Sequence, residues 1–158
     1  MFKEHLSQKW VNRFIKLAEL TSTWSKDPNT KIGAVIVEEE YKDIISHGYN
    51  GLARGVNDDI QERYSRENGE KYFWCAHAER NAVYNAARTG RALQGHTLIL
   101  NKGLPCTGCA IAIIQSGIKR VYCAMEKMEM TKWHEESERS VKMLEEAGVD
   151  VVQYGEDK

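Results

Sequence analysis

The chain has 158 residues, 42% of them hydrophobic and 28% charged, a balance that excludes intrinsic disorder and is long enough to bury a sizeable core as one domain over 1–158. Its 22 basic and 23 acidic residues give a formal net charge of -1, which excludes the overall footprint of a protein that grips long nucleic acid by its phosphates but leaves room for a small anion. The longest apolar runs, Ile32 to Val37 and Cys109 to Ile114, are far below the roughly 20 residues of a membrane helix; Met1 to Gln8 lacks the apolar stretch of a secretory signal, so a cytoplasmic setting is expected, with the four cysteines as thiols or metal ligands before disulfides.

Apolar residues at Leu6, Trp10, Phe14, Leu17 and Ala18 follow a helical period and predict a helix from His5 to about Leu20. The polar segment Thr21 to Thr30 contains Asp27-Pro28, which disfavours helix and marks a loop. Two β-branched runs, Lys31 to Val37 and Ile44 to Tyr49, flank the charged Glu38 to Asp43 and predict an antiparallel hairpin whose turn is solvated. Gly51 to Tyr72 reads as a long irregular connection with one short helix near Asp58 to Ser65, the kind of segment that often carries function. From His77 onward the pattern alternates: helix 77–89, strand 97–101, helix 106–116, strand 120–124, helix 135–147, strand 149–153. Gly90, Gly117 and Gly148 stand at the expected helix ends. Such alternation predicts helices covering a largely parallel sheet, and the tail 155–158 is expected to fray.

Two short pieces carry chemistry, His77-Ala78-Glu79 and Pro105-Cys106-Thr107-Gly108-Cys109, each at the expected N-terminus of a helix. Cys106 and Cys109 are spaced to grip one ion from a first helical turn, and a helix N-terminus favours their thiolates. His77 adds a nitrogen, completing a soft set that suits zinc and leaves one tetrahedral position open for water. With His77 near the cap, Glu79 can face the same cleft as a proton shuttle beside a water whose pKa the ion lowers toward ~7.

The combination H-x-E with P-C-x-x-C is the signature of the zinc nucleobase deaminases. Lys31-Ile-Gly-Ala-Val-Ile-Val, Gly48-Tyr-Asn-Gly51, His77-Ala-Glu-Arg-Asn-Ala-Val83 and Pro105 to Ile118 together resemble the deoxycytidylate (dCMP) deaminase family, particularly its phage and viral members, over about Trp10 to Val152. The resemblance implies a three-layer α/β/α fold with a mixed five-stranded sheet, and hydrolysis of dCMP to dUMP and ammonia for thymidylate synthesis. It implies that His77, Cys106 and Cys109 hold Zn2+ and that Glu79 carries a proton to N3 and then to the departing ammonia. Asn50 is implied as a nucleoside contact, while Ser22 and Lys26 are candidates for the 5′-phosphate. It further implies a hexamer activated by dCTP and inhibited by dTTP, Mg2+ accompanying the triphosphate, with Gly48, Asn50, Gly51 and Arg88 as effector positions. Leu52-Ala53 departs from the family, which often has a proline two residues after this glycine.

Plainer readings stand beside these. Strand, Cys-x-x-Cys and helix also build thioredoxin-like redox sites, although such a site has no use for His77-Ala-Glu79. A purely structural zinc site requires a fourth ligand, for which Cys75 is the candidate. Deamination of another nucleotide or of an RNA base is the alternative within the superfamily. Cys75 and Cys123 otherwise read as small buried hydrophobes, Arg88 as a cation at a helix C-terminus and Lys26 as a solvated charge. Tyr72, Phe73 and Trp74 could wall a base pocket, with core packing expected for at least two of them.

Overall fold

The computed structural model describes residues 6–124 and 132–154, without the side chains of 132–134. The expected fraying of 155–158 and the placement of His5 lie outside the described residues. The elements run α1 (Gln8–Ser22), β1 (Gly33–Val37), β2 (Ile44–Tyr49), β3 (Gly51–Leu52), α2 (Glu70–Trp74), β4 (Cys75–Ala76), α3 (Ala78–Thr89), β5 (Thr97–Leu100), α4 (Thr107–Gln115), β6 (Arg120–Ala124), α5 (Lys132–Glu146) and β7 (Asp150–Tyr154), with 3-10 turns at Gln61–Tyr64 and Glu67–Gly69. No described helix is long and apolar enough to cross a membrane. The first helix starts later than its apolar period suggests, because Ser7 caps it by accepting from Trp10 N at 3.4 Å. It ends later too, as the hydroxyls of Thr21, Ser22 and Thr23 bond back to the carbonyls of Leu17, Glu19 and Leu20.

Five strands form a mixed sheet in the order β2-β1-β5-β6-β7. The expected hairpin is present, but the sheet is only half parallel: β1 is antiparallel to both β2 and β5, whereas β5, β6 and β7 are parallel neighbours. Alternation of helix and strand revealed the crossovers, yet it could not reveal that β1 lies between β2 and β5, so that the chain passes over it through α3. Side chains of the central strands alternate across the sheet. Val35, Val37, Ile99 and Tyr122 pack against Val11, Phe14 and Ala18 of α1. Ala34, Ile36, Leu98, Leu100, Val121 and Cys123 pack on the other face with Ala82 of α3, Ile113 of α4 and Leu144 of α5. Burial on both faces is why these strands read as continuous apolar runs. Three helices share one face because each crossover advances the same way across the sheet.

Two polar arrangements complete the frame. Edge strand β2 is shielded by α3 and its following turn: Asn81 donates to Tyr49 O at 2.8 Å, Asn85 to His47 O at 2.7 Å, and Arg91 to Ile45 O at 3.0 Å. At the opposite end of the sheet the β1–β2 turn is not the solvated run expected of Glu38 to Glu40. Glu38 does cap the turn, accepting from Glu40 N and Tyr41 N, but Glu39 turns inward to Arg120 at 2.5 Å and Thr97 Oγ1 at 2.6 Å. Arg120, 1% exposed, also bonds Asp150 at 2.8 Å. A buried guanidinium needs such partners, and no sequence pattern paired these distant positions.

Candidate active site

The site lies beyond the carboxyl ends of β2 and β5, where the N-termini of α3 and α4 meet, the usual location for a ligand in an open α/β sheet. His77 and Cys106 are the N-caps of α3 and α4, with extended backbone at ψ 157° and 171°. Cys106 Sγ accepts from Cys109 N at 3.3 Å, closing the first turn of α4 around both sulfurs. His77 Nδ1 lies 3.3 Å from Cys106 Sγ and 3.4 Å from Cys109 Sγ, and the three candidate ligand atoms lie within 4.8 Å of one another. A tetrahedral zinc would separate its nitrogen and sulfur ligands by about 3.5 Å, so this group fits that ion. Cys75 stands apart, with Sγ facing Arg63 O at 3.8 Å. The fourth protein ligand of a structural site is therefore not in this group.

Charge is tuned around these atoms. A hydrogen bond from Cys109 and the nearby imidazole hold the Cys106 thiol far below its ordinary range, against the opposing effect of burial. The same shared hydrogen bond, reinforced by burial, drives Cys109 up. Its contact with Cys106 raises His77, opposed by burial and aided by Glu79. Glu79, 4% exposed in the first turn of α3, is pushed up by burial, only partly offset by Cys109 and His77. A carboxyl whose burial favours the protonated form is suited to both give and take a proton.

His77, Cys106 and Glu79 line a cavity of about 370 Å³, with Cys109 buried behind them. Asn50 forms part of the wall. Its Nδ2 donates to Thr30 O at 2.8 Å and its Oδ1 accepts from Ile32 N at 2.9 Å, leaving one hydrogen and one lone pair uncommitted by these bonds. Immediately after it, β3 pairs Gly51 with Ala76, bringing Asn50 beside His77. Sequence reasoning did not single out three cations on this wall. Arg66 Nη2 bonds Thr30 Oγ1 at 2.8 Å, Lys71 is paired with the buried Asp27, and Lys102 follows β5. Glu136 of α5 also reaches the cavity, accepting from Thr107 Oγ1 at 3.2 Å and so joining the start of α5 to that of α4. These residues come from loops and two helices in separate stretches of the chain and share no motif.

The remaining expected site residues lie elsewhere. Ser22 directs its hydroxyl to Glu19 O at 2.6 Å, and Lys26 bonds Asp58 and Asp59 at 2.8 and 2.9 Å; neither lines the cavity. Gly48 is buried against α3, and Arg88 is exposed on its last turn. Tyr72, Phe73 and Trp74 are 52%, 82% and 37% exposed, which corrects the expectation of core packing for two of them. The short α2 that carries them lies at the surface, where Trp74 bonds Glu70 and stacks under Arg63, and only Tyr72 lines the cavity.

Residues 8–125 match the family model for the cytidine and deoxycytidylate deaminase zinc-binding region. An uncharacterised deaminase of Aliivibrio fischeri is 40% identical over 144 residues, covering 90% of this chain and 92% of that protein. Human deoxycytidylate deaminase is 39% identical over 122 residues, 75% of this chain; the match spans 66% of the human protein's length. Among solved structures, the dCMP deaminase of cyanophage S-TIM5 in complex with dCMP and dUMP superposes with a TM-score of 0.74 at 26% identity, covering 95% of this chain and all of that one.

Proposed function

This chain belongs to the cytidine and deoxycytidylate deaminase family, and we propose that it is the member that hydrolyses dCMP to dUMP and ammonia. The observation that carries the reading is the buried Glu79 beside the His77, Cys106 and Cys109 group, in a cavity that also holds cations suited to a phosphate. His77, Cys106 and Cys109 would hold zinc, which when bound supplies Lewis-acid activation of water for attack at C4 of the base. Glu79 takes the proton that water releases and delivers it to N3. It then carries the second proton to the exocyclic nitrogen as the C4–N bond breaks and ammonia leaves. Its burial supports this dual use, because the protonated and ionised forms are brought closer in energy.

Asn50, held rigid by Thr30 and Ile32, has capacity left to fix the nucleoside. Arg66 and Lys102 are better placed for the 5′-phosphate than Lys26, whose charge is already met by two carboxylates. Lys71 is less available, being paired with Asp27. Activation by dCTP with Mg2+, inhibition by dTTP, a hexamer and a cytoplasmic setting complete the proposal by family resemblance, with Asn50, Gly51 and the exposed Arg88 as effector positions. Gly48 would serve the effector loop indirectly, since α3 covers it.

Ammonia release from dCMP, deoxycytidine, CMP and dCTP, with and without added dCTP and Mg2+, tests this reading when zinc content is measured on the same sample. Preference for dCMP with one zinc per chain is the expected result. Turnover of deoxycytidine at the dCMP rate would remove the phosphate reading, and absence of zinc would remove the catalytic one.

A further inference from the structure

Asp27 lies in the loop between α1 and β1, its side chain wholly buried behind the cavity wall rather than on it. Its Oδ1 accepts from Asn29 N at 2.9 Å and from Thr30 N at 3.2 Å, folding the chain into a tight turn, while its Oδ2 is paired with Lys71 Nζ of α2. Burial alone would raise this carboxyl, yet Lys71 and the two N–H groups hold it below its ordinary value, so it stays ionised at neutral pH. Thr30, fixed by that turn, is bonded in two further directions. Its carbonyl accepts from Asn50 Nδ2 at 2.8 Å and its hydroxyl from Arg66 Nη2 at 2.8 Å. Ser25 closes the loop on the same asparagine by donating to Asn50 O at 2.7 Å. One loop therefore holds the group that faces the nucleoside, and it is joined to segment 66–72 at two points, Thr30 with Arg66 and Asp27 with Lys71.

We propose that Asp27 and Lys71 are positioning residues that select nucleotide over nucleoside, their buried ion pair fixing the span between Asn50 and Arg66. The inference rests on the reading of dCMP as substrate, in which Arg66 meets the 5′-phosphate. Desolvation offsets much of the attraction in a buried pair, so the pair adds little net stability, whereas losing one partner leaves an uncompensated charge. That penalty gives segment 66–72 a single placement against the loop. The Arg66 guanidinium is then held in place before the anion arrives, and binding need not order it. Lys71 serves as an anchor whose charge is already met, while Arg66, bonded here to a neutral hydroxyl, keeps its charge for the phosphate.

The test compares kcat and KM for dCMP and deoxycytidine in the zinc-loaded wild type, Asp27→Asn, Lys71→Gln and the double variant. Asn at position 27 can still accept from the N–H groups of Asn29 and Thr30, so the turn survives while the ion pair is lost. The double variant carries no lone buried charge and keeps the test open if a single variant fails to fold. The ratio of kcat/KM for dCMP to that for deoxycytidine is expected to fall about 10–100-fold in each, mainly through KM for dCMP. Because the two residues act as a unit, the double variant is expected to lose no more than either single one. An equal fall for both substrates would assign the pair to the fold alone and overturn the proposal, as would losses that multiply in the double variant. An unchanged ratio in Asp27→Asn beside a reduced one in Lys71→Gln overturns it too, since Lys71 would then meet the phosphate itself. Wild-type protein that turns over deoxycytidine as well as dCMP instead overturns the substrate reading on which the proposal rests.

Discussion

Replacing Gly48 with alanine would place a Cβ 2.4 Å from Ala82 N and 2.6 Å from Ala78 O, both backbone atoms of α3. Ordinary contact begins at 3.4 Å, so the helix and β2 must separate by about 1 Å at that point. Ala78 lies between His77 and Glu79, so the displacement falls on the turn that carries both. Metal-ligand distances tolerate about 0.2 Å. A misplacement of about 1 Å at a catalytic group costs on the order of 100-fold in rate. Overpacking itself costs about 1–3 kcal/mol. For a domain of this size, that lowers Tm by about 2–12 °C. The assay is Tm by calorimetry with zinc content and kcat/KM for dCMP on the same preparation. Gly51→Ala provides the stability control, since its Cβ would approach only Tyr49, at 3.9 Å. A Gly48→Ala protein with wild-type Tm and turnover would refute the claim that helix–strand contact, rather than loop chemistry, requires this glycine.

Glu79→Gln keeps the shape and the three metal ligands but removes the proton carrier; zinc stays bound and kcat falls by about 100–10,000-fold, and near-wild-type turnover would discard its acid/base role. Cys106→Ala loses both metal and rate, and full zinc occupancy in that variant would show that the ligand set is wrong. Glu39→Gln removes the charge facing the buried Arg120, while Asp150 remains at 2.8 Å, so the loss falls toward the lower end of about 3–5 kcal/mol. Burial alone would raise the Glu39 pKa, but Thr97 and Arg120 hold it below the ordinary value of 4.5. Its contribution is therefore fully present above that value and is lost as pH falls through the depressed one. Chemical denaturation from pH 6 to 3 should show a shallower acid loss in Glu39→Gln, and parallel curves would contradict the assignment. Arg88→Glu is expected to shrink the ratio of rates with and without dCTP, and an unchanged ratio would remove Arg88 from the effector site.

The parts of the site legible in the sequence are those built by local structure. Helix N-termini place His77, Glu79, Cys106 and Cys109 within two short segments, and cap geometry needs only neighbouring residues to form. The apolar strands were legible for a similar reason: burial on both faces leaves a continuous run, and helix period exposes the faces of α1 and α3. Exposure of Tyr72 and Phe73 was not legible, because aromatic character does not tell where a short helix will lie.

By itself, then, the sequence determined the metal-binding residue types, the carboxylate beside them and the alternation of helices and strands. Only the tertiary structure decided that β1 lies antiparallel between β2 and β5, that Glu39 meets Arg120, and that Arg66, Lys71, Lys102 and Glu136 share one cavity. The physical reason is range. Caps and periodic faces arise from interactions within a few residues, whereas strand order, buried ion pairing and cavity walls depend on which distant segments pack together, and a side chain such as Lys26 can be claimed by carboxylates more than 30 positions away.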